Sequence, residues 1–196
     1  MLERYQDPTR QIAEREITQD PLDQNEYEAF KAFLPTWRDV LIAKTLRSTG
    51  VRVMEGLRLE GRHYDLSGPD FWILVRRSKR RGKHKDEYER VYLPPGLGVE
   101  LRDYVTGNRI APEDRVFPIT DRQVRYVFAA AGKRGIGRPV HPHELRHLYV
   151  KTLIDGGVPV LVASKLVGHS DTKTTERWYY DLTAEQRRGI QERIPY

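Results

Sequence analysis

Apolar residues recur along this chain at helical spacing in most segments and at strand-like density in one. Trp37, Val40, Leu41 and Leu46 fall at the spacing of one helix face and predict a helix over residues 36–48. Similar patterns predict helices over 24–34, 52–59 and 96–107. Thr120 or Asp121 serves as the N-cap of a further helix over 120–133. Leu145, Leu148, Tyr149 and Leu153 share one face of a helix over 143–155, which Gly156-Gly157 closes. Val158, Leu161, Val162 and Leu166 then predict a short buried helix, and residues 183–193 a last one. Residues 71–75 are aromatic and β-branched, and with 90–94 they predict a hairpin. The fold class expected is mainly α with a small antiparallel β-sheet. Residues 1–22 are polar and charged and end near Asp20-Pro21, so they are expected to be a tail or interdomain linker, with the folded domain spanning 23–196.

Composition narrows the partner class. A chain of 196 residues can form one domain with a sizeable core. Its 34 lysines and arginines outnumber 28 acidic residues for a net charge of +6, and seven of the basic residues fall within ten positions, 76–85. That concentration is a footprint for a polyanion. Six histidines and no cysteine exclude a disulfide scaffold and a cysteine-ligated zinc site, and suit a reducing cytoplasm. There is no apolar run of membrane-spanning length and no signal-peptide core, so no membrane partner is expected.

The chemistry concentrates after residue 142. His143-Glu144-Leu145-Arg146-His147 matches H-E-x-x-H, in which two imidazoles one helical turn apart hold zinc beside a glutamate. A third ligand would then be needed, but the usual continuation falls on Val150 and Leu153, leaving Asp171 or Glu176. The same residues also read as H-x-x-R, which offers a histidine and an arginine to a phosphate, or as surface histidines at a helix N-terminus. Upstream, Thr49-Gly50-Val51-Arg52-Val53-Met54-Glu55-Gly56-Leu57 sets a buriable arginine three residues before a glutamate, so that both share a helix face. Downstream come Gly168-His169-Ser170 and Trp178-Tyr179-Tyr180.

This ordered set (arginine, histidine with arginine, Gly-His, then tyrosine) resembles the catalytic domain of the tyrosine recombinases, the phage integrase family, over about residues 23–190. The resemblance implies a site-specific recombinase or integrase fold and DNA strand cleavage and rejoining through a 3'-phosphotyrosyl intermediate, with no metal or other cofactor. Such a covalent intermediate keeps the phosphate bond energy for a later joining step. Two guanidiniums that stay charged can clamp the non-bridging oxygens of the transition state, and Arg52 and Arg146 match the family's pair. His143 and His169 match positions that bond the phosphate and assist proton transfer, and Glu55 matches the acid that orients the cluster. The family's leaving-group lysine lies in the hairpin. Lys79 matches it over Lys83 and Lys85, while Arg76, Arg77, Arg80, Arg81, Lys83 and Lys85 are expected to contact DNA phosphates.

The nucleophile departs from the pattern. The family's usual spacing from the Gly-His histidine lands on Trp178, which has no nucleophilic oxygen. The residues that follow fit the family from Tyr179, with one residue inserted upstream, so Tyr179 is taken as the nucleophile and Tyr180 as the alternative. One residue turns a helix by roughly 100 degrees, so the insertion has to be absorbed before the nucleophile. The resemblance further implies double-stranded DNA as partner, a tetramer on DNA, and a preceding core-binding domain that is absent from this chain. The alternatives are a catalytically silent DNA-binding protein of the same fold, a type IB topoisomerase-like enzyme and a zinc metalloprotease.

Overall fold

The computed structural model describes residues 22–76 and 88–167. Helix α1 (Gln24–Lys31) opens on a reciprocal cap, in which the Glu26 amide donates to Asp23 Oδ1 at 2.7 Å and the Asp23 amide to Glu26 Oε2 at 3.2 Å. It ends short of the expected residue 34. Phe33 and Leu34 donate instead to Phe30 and Lys31 in tighter i→i−3 turns, as suits a residue preceding Pro35. Helix α2 (Trp37–Thr49) is capped by Thr36, whose Oγ1 accepts the Asp39 amide at 3.2 Å. Leu41, Ile42 and Leu46 bury its inner face against the other helices, whereas Trp37 is exposed, with the Lys44 ammonium over its ring.

The helix expected over 52–59 is the single turn α3 (Val53–Gly56). It stops because the chain straightens to pair with a distant segment. The Val116 amide donates to the Leu59 carbonyl at 3.1 Å, and Glu60 forms a bridge with Arg115. That pairing leads into a three-stranded antiparallel sheet, β1 (Tyr64–Asp65), β2 (Phe71–Arg76) and β3 (Tyr88–Leu93), in the order β1-β2-β3. Phe71 pairs with Leu93, Ile73 with Val91 and Arg76 with Tyr88. Strand alternation therefore buries Phe71, Ile73, Val75 and Leu93 on one face and turns Trp72, Tyr88, Arg90 and Tyr92 to the other. β1 was not foreseen, because two residues carry no readable alternation.

Helix α4 (Pro95–Gly107) lies over the buried face of the sheet, with Gly98 against the Phe71 ring, where a Cβ would collide. Helix α5 (Asp121–Ile136) starts at the expected Thr120 cap and runs three residues beyond the expected end, to a left-handed Gly137. It packs on α1 through an edge-on Phe30–Phe128 pair with centroids 5.2 Å apart. Helix α6 (Pro142–Asp155) packs along α2, and α7 (Val160–Leu166) packs on α6 after Pro159. The short buried helix expected from Leu161, Val162 and Leu166 is corrected here. Those three are 54%, 44% and 46% exposed, while Ala163, Ser164 and Val167 face inward, because α7 starts after Pro159 and its register follows the small residues. Among the described residues no helix is long and apolar enough to cross a membrane.

One core joins α1, α2, α4, α5, α6 and the sheet around Phe30, Leu41, Phe117, Phe128 and Leu145. The α1–α5 contact is close enough that a Cβ on Gly135 would lie 2.6 Å from the Ala29 carbonyl oxygen. Gly135→Ala is therefore expected to cost about 1–3 kcal/mol by overpacking, against alanine's own helix preference of about 1 kcal/mol. The urea midpoint measures this, and a midpoint equal to or above that of the wild type would refute the contact.

Candidate active site

The N-terminus of α6 is fixed before its side chains reach any site. Glu144 Oε1 accepts the His141 amide at 2.7 Å, satisfying one of the donors that a helix start leaves open. Glu144 Oε2 accepts from Arg138 Nη1 at 2.6 Å, and Arg138 Nη2 reaches Glu26 Oε2 on α1 at 3.0 Å. Glu144 is thus committed to the helix cap and to an ion pair between elements, which is not how a zinc hydrolase would use its general base. Arg138 was missed from sequence, because its two carboxylate partners are 112 and 6 residues away and share no motif with it.

With α6 pinned in this register, Arg146 points inward and is 1% exposed. Its Nη1 donates to the Gly50 carbonyl, and its Nη2 donates to the Val167 carbonyl at 2.6 Å. Gly50 closes α2 with φ at +63°, and a Cβ there would strike the Tyr149 ring and sit 2.9 Å from Val167 Cγ1. Only glycine lets the end of α2, α6 and the end of α7 meet at this point. Glycine after an amphipathic run is a readable C-cap signal, but the contact it permits is not.

Arg52 follows two residues after Gly50, and its orientation is set by Glu55. Glu55 is 2% exposed. Its Oε2 accepts the Arg52 backbone amide at 3.0 Å and its Oε1 pairs with Arg52 Nη1 at 3.0 Å. One buried carboxylate therefore holds both the main chain and the guanidinium of Arg52. The expected arginine–glutamate pairing is present, with Arg52 preceding the short helix rather than lying inside it.

His143 is exposed on the first turn of α6, and its ring meets that of His147 edge-on at 4.4 Å. His147 is held below the ordinary histidine range by burial and then by the adjacent Arg146 charge, with Glu144 opposing. Arg76 is the exposed last residue of β2. Arg77, Lys79, Arg80, Arg81, Lys83, Lys85, His169, Tyr179 and Tyr180, together with the helix expected over 183–193, lie outside the described residues.

Two outcomes follow from this geometry. Lysine at 146 keeps the charge but replaces a planar fork that spans two carbonyls, so Arg146→Lys is expected to lose about 1–3 kcal/mol. A wild-type denaturation midpoint would show that the second carbonyl bond contributes nothing. His147 binds its proton less readily folded than unfolded, so below about pH 6.5 the unfolded chain takes up a proton that the folded chain resists, and stability falls as pH falls. In His147→Gln the decline in stability from about pH 7.5 to about pH 5.5 becomes shallower. A decline as steep as that of the wild type would contradict the assignment.

Comparisons with known proteins identify the family. The phage integrase family model matches residues 21–186. The chain is 32% identical over 161 residues to the tyrosine recombinase XerC of Staphylococcus saprophyticus, covering 78% of this chain and 52% of that protein. It is 31% identical over 164 residues to the tyrosine recombinase XerA of Thermococcus kodakarensis, covering 80% and 55%. The chain spans about half the length of the curated relatives it matches. In fold it is similar to a crystal structure of XerA recombinase, with a TM-score of 0.69 and 23% identity over 91% of this chain and 66% of that one. It is also similar to the XerH site-specific recombinase bound to its difH substrate before cleavage, with a TM-score of 0.63 and 22% identity over 88% and 53%. A mainly helical fold with one small antiparallel sheet, the motif segments it brings together and a family match over most of its length place this chain in the phage integrase family.

Proposed function

We propose that residues 23–196 form the catalytic part of a site-specific recombinase that cleaves and rejoins DNA strands through a 3'-phosphotyrosyl intermediate. The observation that carries this is the double anchorage of Arg146, which bonds the backbone just before Arg52 and just before Gly168-His169. The ends of α2 and α7, far apart in the chain, thereby converge on one guanidinium. Charge that develops on a phosphate during displacement is best met by donors fixed beforehand, and both Arg146 and the Glu55-bound Arg52 are fixed in that sense. A guanidinium carries five N–H donors, so anchoring on two carbonyls and meeting a phosphate are compatible.

In this mechanism the Tyr179 phenolate attacks phosphorus, the bond from phosphorus to the 5'-oxygen breaks, and the departing 5'-oxygen takes a proton from Lys79. Arg52 and Arg146 neutralise the non-bridging oxygens. His143 and His169 bond the phosphate and assist proton movement, while Glu55 keeps Arg52 aimed. Attack by the freed 5'-hydroxyl of another strand reverses the step and restores the tyrosine. Arg76, Arg77, Arg80, Arg81, Lys83 and Lys85 hold the DNA backbone through charge. Recombination of two duplexes by this route uses four copies of the protein. Residues 1–21 serve as a tail or linker, one residue shorter than expected, because Leu22 is already buried in the core.

The test is covalent trapping on a nicked suicide DNA substrate built from candidate sites flanking the gene. A protein–DNA adduct is expected for the wild type and for Tyr180→Phe, and none for Tyr179→Phe. Loss only in Tyr180→Phe would move the nucleophile by one residue. No adduct on a site that the chain binds would overturn strand cleavage in favour of a silent DNA-binding protein.

A further inference from the structure

The solvent face of the sheet carries a feature that strand cleavage does not use. Tyr88, Arg90 and Tyr92 follow one another at alternate positions of β3, and the register sets Trp72 directly opposite Tyr92. Tyr88 and Tyr92 are 52% and 43% exposed. Each is held by a neighbour. The His63 ring stacks on Tyr88 with centroids 5.3 Å apart, and Trp72 meets Tyr92 edge-on at 5.2 Å. Arg90 lies over the Trp72 ring at 4.4 Å and pairs with the exposed Asp65 at 3.0 Å. Cross-strand aromatic pairs do stabilise sheets, which accounts for the Trp72–Tyr92 contact. It does not account for two tyrosines that keep about half their surface in solvent on either side of an arginine.

We infer that this face is a stacking platform for unpaired bases of single-stranded DNA. Positions two apart in a strand repeat about every 7 Å, a step that one nucleotide of an extended strand spans. Rings and guanidinium planes stack on any base whose face is open, and in a duplex those faces are occupied by neighbouring pairs. Charge selects a nucleic acid over a protein partner, because β2 and β3 are joined through a stretch with seven lysines and arginines in residues 76–85. The inference rests on the proposed reaction for its context. Cleavage of one strand frees a 5'-hydroxyl end, and its bases unpair before it is joined elsewhere. A platform beside the hairpin would hold that end.

The probe is a fluorescein-labelled 12-mer of thymidine, titrated into the full chain by anisotropy at several salt concentrations, beside a duplex of the same length. Leucine keeps the apolar strand surface and removes the ring, so Tyr88→Leu and Tyr92→Leu are the variants, with exposed Tyr126→Leu as control. Each platform variant is expected to bind the oligomer about tenfold more weakly, the size of one lost base–ring stack. The salt slope should stay that of the wild type, since no charge is removed. Duplex affinity should also be unchanged, and the variants should stay folded at the assay temperature even where loss of a ring pair lowers the melting temperature. Unaltered oligomer binding in both variants overturns the platform and leaves the face to a protein neighbour. A loss shared by the duplex or by Tyr126→Leu overturns it as well. Wild type that forms the covalent adduct on the suicide substrate yet ignores the oligomer sinks this inference alone, whereas wild type that does neither, on sites that it binds, sinks the strand-cleavage reading with it.

Discussion

Taking a guanidinium out of water is costly unless its N–H groups are met by good acceptors. Arg146 is almost completely buried, and the acceptors it meets are main-chain carbonyls at the ends of two other helices. A carbonyl at the C-terminus of a helix is a strong acceptor for a cation, because the last carbonyls lack intrahelical partners and carry the negative end of the helix dipole. Gly50 and Val167 both sit at such ends. The charge of one side chain thus answers two orphan groups at once. In return, the ends of α2 and α7 are fixed relative to α6.

The surroundings can be read as what this bond requires. The guanidinium can reach both carbonyls only if α6 begins where it does, which the Glu144 cap and the Arg138 bridge to α1 ensure. The carbonyl of Gly50 can approach only because residue 50 has no side chain to meet Tyr149 and Val167. Arg52 inherits its place from this closure and its direction from Glu55. Glu55 in turn is buried beside a cation that takes up its charge, without which a buried carboxylate would be strongly destabilising. The site is therefore a chain of dependencies that starts at a helix cap.

The sequence shows these parts unevenly. Helices with one apolar face were legible: the start expected at residue 36, the Thr120 cap and the Gly156-Gly157 pair mark real boundaries within a residue or two. Elements whose limits are set from a distance were not. The turn at Val53–Gly56 ends because Leu59 pairs with Val116, and α7 turns its leucines outward because small residues fit against Val150 and Tyr149. Among candidate site residues, Arg52, Glu55, His143 and Arg146 were legible as motif members with a shared chemistry. The support beneath them was not, since Arg138, Gly50 and Val167 contribute a charge bridge, a missing side chain and a main-chain oxygen. None of these leaves a pattern that spacing alone can reveal.

A side chain that braces the fold and also serves chemistry ties the two together. In the proposed reaction Arg146 cannot move to meet a phosphate without loosening α2 and α7, so the phosphate has to come to it. That favours a preformed site to which the DNA is brought. Val167 is the last of the described residues, and the anchor holds it through its carbonyl to Arg146 and its amide to Ala163 at 3.2 Å. The one-residue offset that puts Trp178 where the family has its tyrosine lies wholly beyond that fixed point. In the proposed reaction the offset bears on the delivery of the nucleophile, while the placement of Arg52 and Arg146 rests on contacts among the described residues.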